Sequence, residues 1–330
     1  MQNQKVHRAA CCFIGLLTLH LGACGSAQVG QASNVQQVSA GQLWPSTTEP
    51  VTVIEHVNVV TMANPGEVLR DATVVITAGR IEAINGAVPK NARIIAGAGK
   101  WLMPGLTDMH VHVPTDTLMR PKQYATEPPN LFLDTQDLLL PYIANGVTQI
   151  VNLDAHAESF AQRNEVEKGA VLGPHIALAA LINGGNARGR VAATPADGRQ
   201  TVRDAKAEGY DFIKLYSGLD VATFEAIVDE CGKQDVKTVG HIPDAFVGNL
   251  DQALIPHFDM VAHAEEFSKH SDAFTADDIA RFVSLAKRSG VWVTPTLTAM
   301  DWIARQSHSL AEIKASSTLR YMHPLIQSKW

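Results

Sequence analysis

The stretch Trp101-Leu-Met-Pro-Gly-Leu-Thr-Asp-Met-His-Val-His-Val113 decides how the rest of the chain is read. Side chains of a β-strand point to opposite faces with period two. His110 and His112 are therefore expected on one face, with Met109, Val111 and Val113 packed on the other. Two imidazoles on a rigid strand converge on one point, and neutral imidazole is the commonest metal ligand. Taken alone, the pair reads first as two partly buried histidines at a strand end. The segments that follow give it another meaning.

After residue 113 the pattern alternates between helix and strand. Periodicity predicts helices over 130–145, 195–208, 221–234 and 276–289. Between them lie short β-rich runs at 147–153, 175–182, 212–216, 237–241, 260–263 and 291–296. Strands alternating with helices imply right-handed crossovers and a parallel sheet. With the strand at 106–113 there are seven such strands, one short of a (β/α)8 TIM-type barrel, whose active site would lie at the C-terminal strand ends. The chain is thus expected to be an α/β protein with an incomplete barrel over 104–330. Before it, residues 51–103 form short apolar runs separated by Asn64-Pro-Gly66, Ala78-Gly79 and Asn85-Gly86, which predicts a small antiparallel β unit.

The predicted strand ends carry a selective set of polar groups. The first ends in His110 and His112, the fourth contains Lys214, the fifth ends in His241 and the sixth in His263. Singly, Lys214 could be a core lysine snorkelling to the rim, His241 a helix cap and His263 a satisfied core imidazole. Four separate strand ends all offering a metal-binding group point instead to one centre.

The ordered segments Met103-Pro-Gly-Leu-Thr-Asp-Met-His-Val-His112, Asp211-Phe-Ile-Lys-Leu-Tyr-Ser-Gly218, Val239-Gly-His-Ile-Pro243 and Val261-Ala-His-Ala-Glu-Glu266 resemble the amidohydrolase superfamily of metal-dependent hydrolases. The likeness is to its branch of imidazolonepropionase-like enzymes and prolidase-type dipeptidases. It covers residues 51–330 and makes 51–103 the N-terminal half of a small β-sandwich. It implies two divalent metal ions, zinc in most members, one on His110 and His112 and the other on His241 and His263. Lys214, carboxylated by CO2, would bridge them. A buried lysine has a depressed pKa and so an amine free to react, and its carbamate puts an anion between two cations. Paired metals bring the pKa of a shared water towards neutrality and polarise a scissile carbonyl. Tyr216, two residues after Lys214, is the candidate for hydrogen bonding the carbonyl oxygen.

The resemblance implies hydrolysis of an amide bond in a small molecule, a dipeptide or an N-acyl amino acid, although the branch also acts on cyclic amides, lactones and phosphotriesters. The chain departs from it in two places. Strand two ends in Asn152-Leu-Asp-Ala-His156 where relatives carry an arginine. No Gly-Thr-Asp setting supplies the strand-eight aspartate that serves relatives as metal ligand and general base, and Asp301 lies in a helical segment. The chain as given is therefore expected to lack an eighth strand and to have little or no activity, and a non-catalytic metal-binding lipoprotein is the alternative reading.

The first residues read as a targeting segment. Lys5 and Arg8 precede an apolar run over 9–19 that ends in Leu21-Gly-Ala-Cys24. The run is too short to span a bilayer and suits a signal peptide. The tetrapeptide resembles a bacterial lipobox, which implies a lipid anchor at Cys24 and a location in the cell envelope, with plain secretion to the periplasm as the alternative. Cys11, Cys12 and Cys24 lie in this leader (1–24) and only Cys231 lies beyond it, so a mature chain has no intramolecular disulfide. Residues 25–50, rich in Gln, Ser, Gly, Ala and Thr, read as a flexible tether. A net charge of −6 without a basic run leaves no electrostatic footprint for nucleic acid.

Overall fold

A computed structural model describes residues 51–115, 133–185 and 188–327 of the 330. The leader with Cys24 and the 25–50 tether lie outside the described residues. Among those described, no helix is long and apolar enough to cross a membrane.

The first sheet contains β1 (Thr52–Val60), β2 (Val68–Thr77), β3 (Arg80–Ile84), β4 (Arg93–Ala96) and β5 (Trp101–Leu102). The turn at Ala78 and Gly79 has φ of 49° and 73°, the paired positive values that a two-residue hairpin takes. Two sequence expectations are corrected here. The runs at 51–54 and 56–60 are one strand, bent by a register shift between Ile54 and Val57, with His56 at φ 58°. The sheet is also mixed. β1 pairs antiparallel with β2, and β2 with β3, but β4 and β5 both run parallel to β1, because the chain leaving β3 crosses back over β1 to its far side. Gly97 allows that crossing, since a Cβ there would lie 2.7 Å from Glu55 O and 2.7 Å from Val57 Cβ.

The second sheet is the parallel one. Its strands are β6 (Leu106–Val111), β7 (Val147–Asn152), β8 (His175–Asn183), β9 (Arg190–Val191), β10 (Phe212–Leu215), β11 (Lys237–Gly240), β12 (Met260–Ala262) and β13 (Trp292–Thr294). Seven of them follow in the order β13-β12-β11-β10-β8-β7-β6, as the helix–strand alternation predicts. The short β9, which sequence reasoning did not find, adds to β8. The sheet curls into a nearly closed barrel. β6 and β13 end the order, and a cleft of about 500 Å³ lies between them, lined by Leu106, Met109, Met260, Trp292 and Val293 among others. Leu106 and Trp292 are exposed there.

Alternation along the strands builds two layers. Val151, Leu153, Ala179, Val239 and Ala262 form one cluster with Met109, Phe212 and Met260 against it. Their neighbours Ile150, Leu178, Ile213 and Leu215 pack in the larger cluster with helix residues such as Phe224, Ile227 and Cys231. Each such full burial contributes roughly 1.5–3 kcal/mol. The helices at Pro195–Glu208, Val221–Gln234 and Ala276–Ser289 have the bounds that the sequence predicts. Thr194, Asp220 and Thr275 cap their first turns, accepting from the amides of Asp197, Thr223 and Asp278. The helix expected over 130–145 is described from Thr135 to Ala144, capped by Asp134. The helix Ala157–Glu167 is an addition.

The deciding stretch contains a further correction. The register between β6 and β7 shifts between Asp108 and Val111, so that an extra residue is accommodated on β6. Met109 consequently packs in the first cluster, with Val151 and Ala179, while Val111 and Val113 join the larger one. These three residues do not share a face. The Asp108 side chain accepts from the His110 amide at 3.0 Å within the bulge.

Candidate metal centre

β10 brings Lys214 into the barrel. Phe212 belongs to the first cluster and Ile213 and Leu215 to the second, so period two places Lys214 with Phe212, one step nearer the C-terminal end of the strand. It is 1% exposed, and its Nζ has no hydrogen-bond partner. Burial pulls its pKa down to about 7 against the opposing pull of Glu266, Asp154 and Glu265. An ammonium so placed is costly, so near neutral pH much of this side chain is a free amine.

The four histidines gather around the same region. The His110 ring centroid lies 5.2 Å from that of His112 and 4.5 Å from that of His263, and His263 lies 4.8 Å from His241. Burial lowers the pKa of His110 to about 2, with Lys214 adding to the effect. It lowers His112 to about 4, with Asp154 opposing, and His263 to about 4, with Lys214 again adding. These three imidazoles are neutral at pH 7, the form that donates a lone pair to a cation. Tyr216, just beyond β10, sets its ring edge-on to His241 at 4.6 Å.

A second layer orients the rings. His241 Nδ1 donates to Glu266 Oε1 at 2.7 Å, and the Ile242 amide donates to the other oxygen at 3.0 Å. Lys269 completes the shell of this buried carboxylate at 3.0 Å. His263 Nδ1 lies 2.8 Å from Thr296 Oγ1. The His241 ring, donating from Nδ1 to a carboxylate, therefore keeps Nε2 free, the arrangement in which a histidine serves a metal, and the Thr296 hydroxyl holds the His263 ring by its Nδ1 edge. His263 has φ 83° and Thr296 φ 51°, a costly backbone for residues with a Cβ, and these turns bring the His263 ring against His110 and His241.

The donor set fits a metal in pairs. His110 Nε2 and His112 Nε2 are 3.3 Å apart. Two nitrogens each about 2.0–2.1 Å from a tetrahedral zinc are separated by about 3.3 Å, so this spacing is that of two ligands on one ion. As the side chains stand, no group of three or more His, Cys, Asp or Glu among the described residues surrounds a common point. Asp301, exposed on the helix Leu297–His308 and 3.7 Å from Arg305, takes no part.

All five sequence-predicted ligand positions and Tyr216 thus fall into one cluster, at the C-terminal ends of β6, β10, β11 and β12. Sequence reasoning assigned no role to four neighbours. Glu266 lies in a quoted segment, and only the fold turns it back onto His241. Thr296 closes the β13 run, and nothing in its spacing marks it. Asp154, at the end of β7, holds Arg188 from the loop after β8, its Oδ2 lying 3.0 Å from the arginine Nε.

Residues 101–326 match the model of the amidohydrolase family. The chain belongs to that family. No curated protein sequence matches it significantly. Among solved structures it is similar to a protein from Bifidobacterium longum assigned as a prolidase, with 23% identity and a TM-score of 0.51 over 67% of this chain and 57% of that one. It is also similar to a prolidase solved with N-methylphosphonate-L-proline, at 22% identity and a TM-score of 0.60 over 79% of this chain and 70% of that one. Bottromycin amidohydrolase matches at 20% identity and a TM-score of 0.55, over 76% and 53% of the two chains. The amidohydrolase chain described here thus spans little more than half the length of two of these structures. At these identities the likeness speaks to the fold.

Proposed function

We propose that this amidohydrolase-family protein hydrolyses an amide bond in a dipeptide or N-acyl amino acid, with two divalent metal ions, zinc by preference, held by its histidine cluster. The observation that carries the reading is the clustering of the His110, His112, His241 and His263 rings, three of which feel the charge of the buried, unpartnered amine of Lys214. A cluster of lone pairs around an amine of low proton affinity has little structural use without cations to bind. The presence of a prolidase among its structural neighbours supports the dipeptide class.

His110 and His112 would hold one ion and His241 and His263 the other. Bound there, the ions would supply Lewis acidity and a water of lowered pKa. Lys214 would join them as a carbamate. Its neutral amine adds to the carbon of CO2, the new N–C bond forms as the nitrogen loses a proton to solvent, and the product is an anion. Tyr216 would donate its hydroxyl proton in a hydrogen bond to the scissile carbonyl oxygen as negative charge develops there. Glu266 would keep the His241 ring in the required tautomer, and Thr296 would hold the His263 ring in place.

A second reading, a metal-binding protein without hydrolase activity, has one observation in its favour. Of the buried carboxylates beside the cluster, Glu266 is engaged through both oxygens by His241, Ile242 and Lys269, and Asp154 is committed through one oxygen to Arg188, so each already has a structural task. Assay of the zinc-loaded protein against a panel of dipeptides and N-acyl amino acids separates the two. Release of free amine that is abolished by chelation and restored by zinc supports hydrolysis. Full metal loading with no release from any substrate supports the second reading.

We further propose that the chain is exported and anchored to the cell envelope through lipid on Cys24. Replacing Cys24 with Ser should release it from membranes or block its processing. A wild-type protein found wholly in the soluble periplasmic fraction contradicts the anchor.

A further inference from the structure

The described ends of the connection between β8 and β9 are held closely to the barrel. Asn183 closes β8, and its Oδ1 accepts from Gly184 N at 2.9 Å and from Gly218 N at 3.1 Å, tying this loop to the one after β10. A Cβ on Gly184 would fall 2.1 Å from Gly218 O, so the two loops touch through backbone. At the other end Gly189 has φ +79°, and a Cβ there would lie 2.1 Å from Leu181 Cδ2 and 2.7 Å from Leu181 O. β9 then pairs with Ile182 and Asn183. Both ends are therefore pinned to the barrel rim, and the residue presented just before the second pin is Arg188.

Arg188 is held by its Nε, 3.0 Å from Asp154 Oδ2. The Asp154 side chain is only 3% exposed and that of Arg188 is 45% exposed. A nearly buried carboxylate thus grips the guanidinium from one side, and the fork of the arginine is not used up by it. The second oxygen of Asp154, Oδ1, has no hydrogen-bond partner, and His156 Nε2 stands 3.5 Å from it. The pair belongs to the histidine cluster's rim. Leu153 N donates to Val111 O at 2.9 Å, which lays the end of β7, and Asp154 after it, beside the His110 and His112 strand. Asp154 raises and Arg188 lowers the proton affinity of His112, as charges close to that ring must. A fixed, half-exposed guanidinium beside the centre matches one ligand chemistry above others, a planar carboxylate taken in a bidentate grip.

We propose that Arg188, positioned by Asp154, binds the free carboxylate of the amino acid on the leaving side of the scissile amide. The inference rests on the amide-hydrolase reading above and assigns a residue to the carboxylate that a dipeptide or an N-acyl amino acid carries next to that bond. Capped or amidated peptides would be excluded as good ligands, because they leave the guanidinium without its partner and desolvate it for nothing.

The test uses the zinc-loaded full chain and calorimetric titration with N-methylphosphonate-L-proline and with its prolinamide counterpart. The wild type should bind the carboxylate form roughly 10- to 100-fold more tightly, the range of a charged hydrogen-bonded contact. R188Q should lose that preference while its affinity for the amide form, its metal content and its melting temperature hold. R188K, which keeps the charge without the fork, should lie between, and it carries the same comparison if R188Q does not fold. A wild type that prefers the carboxylate form while R188Q keeps the full preference overturns the assignment to Arg188 and leaves the amide-hydrolase reading standing. Equal binding of the two forms by the wild type overturns the carboxylate subsite and again leaves that reading. A wild type that binds neither form overturns the carboxylate subsite, and the amide-hydrolase reading then stands or falls by the substrate panel above.

Discussion

His241 Nδ1 and Glu266 Oε1 are 2.7 Å apart, and that contact orients the His241 ring, which stands just beyond the end of β11. Glu266 is 2% exposed, yet its pKa is lowered: burial pushes it up, but the hydrogen bonds and charges of His241 and Lys269 outweigh that push. An ionised carboxylate can only accept, so the ring must carry its proton on Nδ1 and offer Nε2.

Replacing Glu266 with Gln keeps the shape and removes the charge. Zinc affinity, measured by competition with a chelator, should fall about 10- to 100-fold, the usual cost of losing such an outer partner. Unchanged affinity would mean that His241 does not serve a metal through this tautomer.

Lys214 makes a statement about stability. Its folded pKa of about 7 lies below the ordinary lysine value of 10.5, so between those values the unfolded chain holds more protons than the folded one. Stability should therefore rise with pH from about 7 to 10.5 in metal-free, CO2-free protein. Lys214→Met should flatten that rise and stabilise the metal-free protein at pH 7 by roughly 1–4 kcal/mol, as buried charges replaced by apolar groups do. Urea unfolding at a series of pH values measures both, and a wild-type curve flat over this window contradicts the burial argument.

The histidines act at the other end of the scale. His112 and His263 protonate near pH 4 when folded and near 6.5 when unfolded. The unfolded chain again holds more protons in between, so metal-free protein should lose stability as pH falls from 6.5 to 4. His112→Asn with His263→Asn should weaken this acid sensitivity. A double variant with the same acid profile as the wild type would assign the loss to other groups.

Tyr216 tests the chemistry apart from the binding of metal. Tyr216→Phe keeps the ring that meets His241 and removes the hydroxyl. If the protein turns over an amide, kcat should fall about 10²- to 10³-fold with metal content unchanged, the usual loss for one donor to a developing oxyanion. A KM change with kcat intact would make Tyr216 a binding residue only.

How far the sequence carried the reading depended on what encodes each feature. The parallel strands and three helices were legible because the two periodicities, two in a strand and 3.6 in a helix, are local: Phe212 shares a face with Lys214 and Val239 with His241. The bulge at 108–111 was not, because it is a matter of register between β6 and β7, and Met109 changes layer as a result. The parallel pairing of β4 and β5 with β1 was hidden for a similar reason, since short apolar runs say nothing of which edge they join. The ligand positions could be found from strand ends, whereas Glu266, Thr296 and Arg188 act through contacts made by folding 25, 33 and 34 residues from their partners His241, His263 and Asp154.

The central claim is that one buried cluster of four imidazoles and Lys214 holds two metal ions, and metal stoichiometry tests it most directly. Elemental analysis of protein saturated with zinc and then desalted should give about two equivalents, and about one for His110→Asn with His112→Asn, because the His241 and His263 pair remains. Equal metal content in the wild type and the double variant would contradict the account.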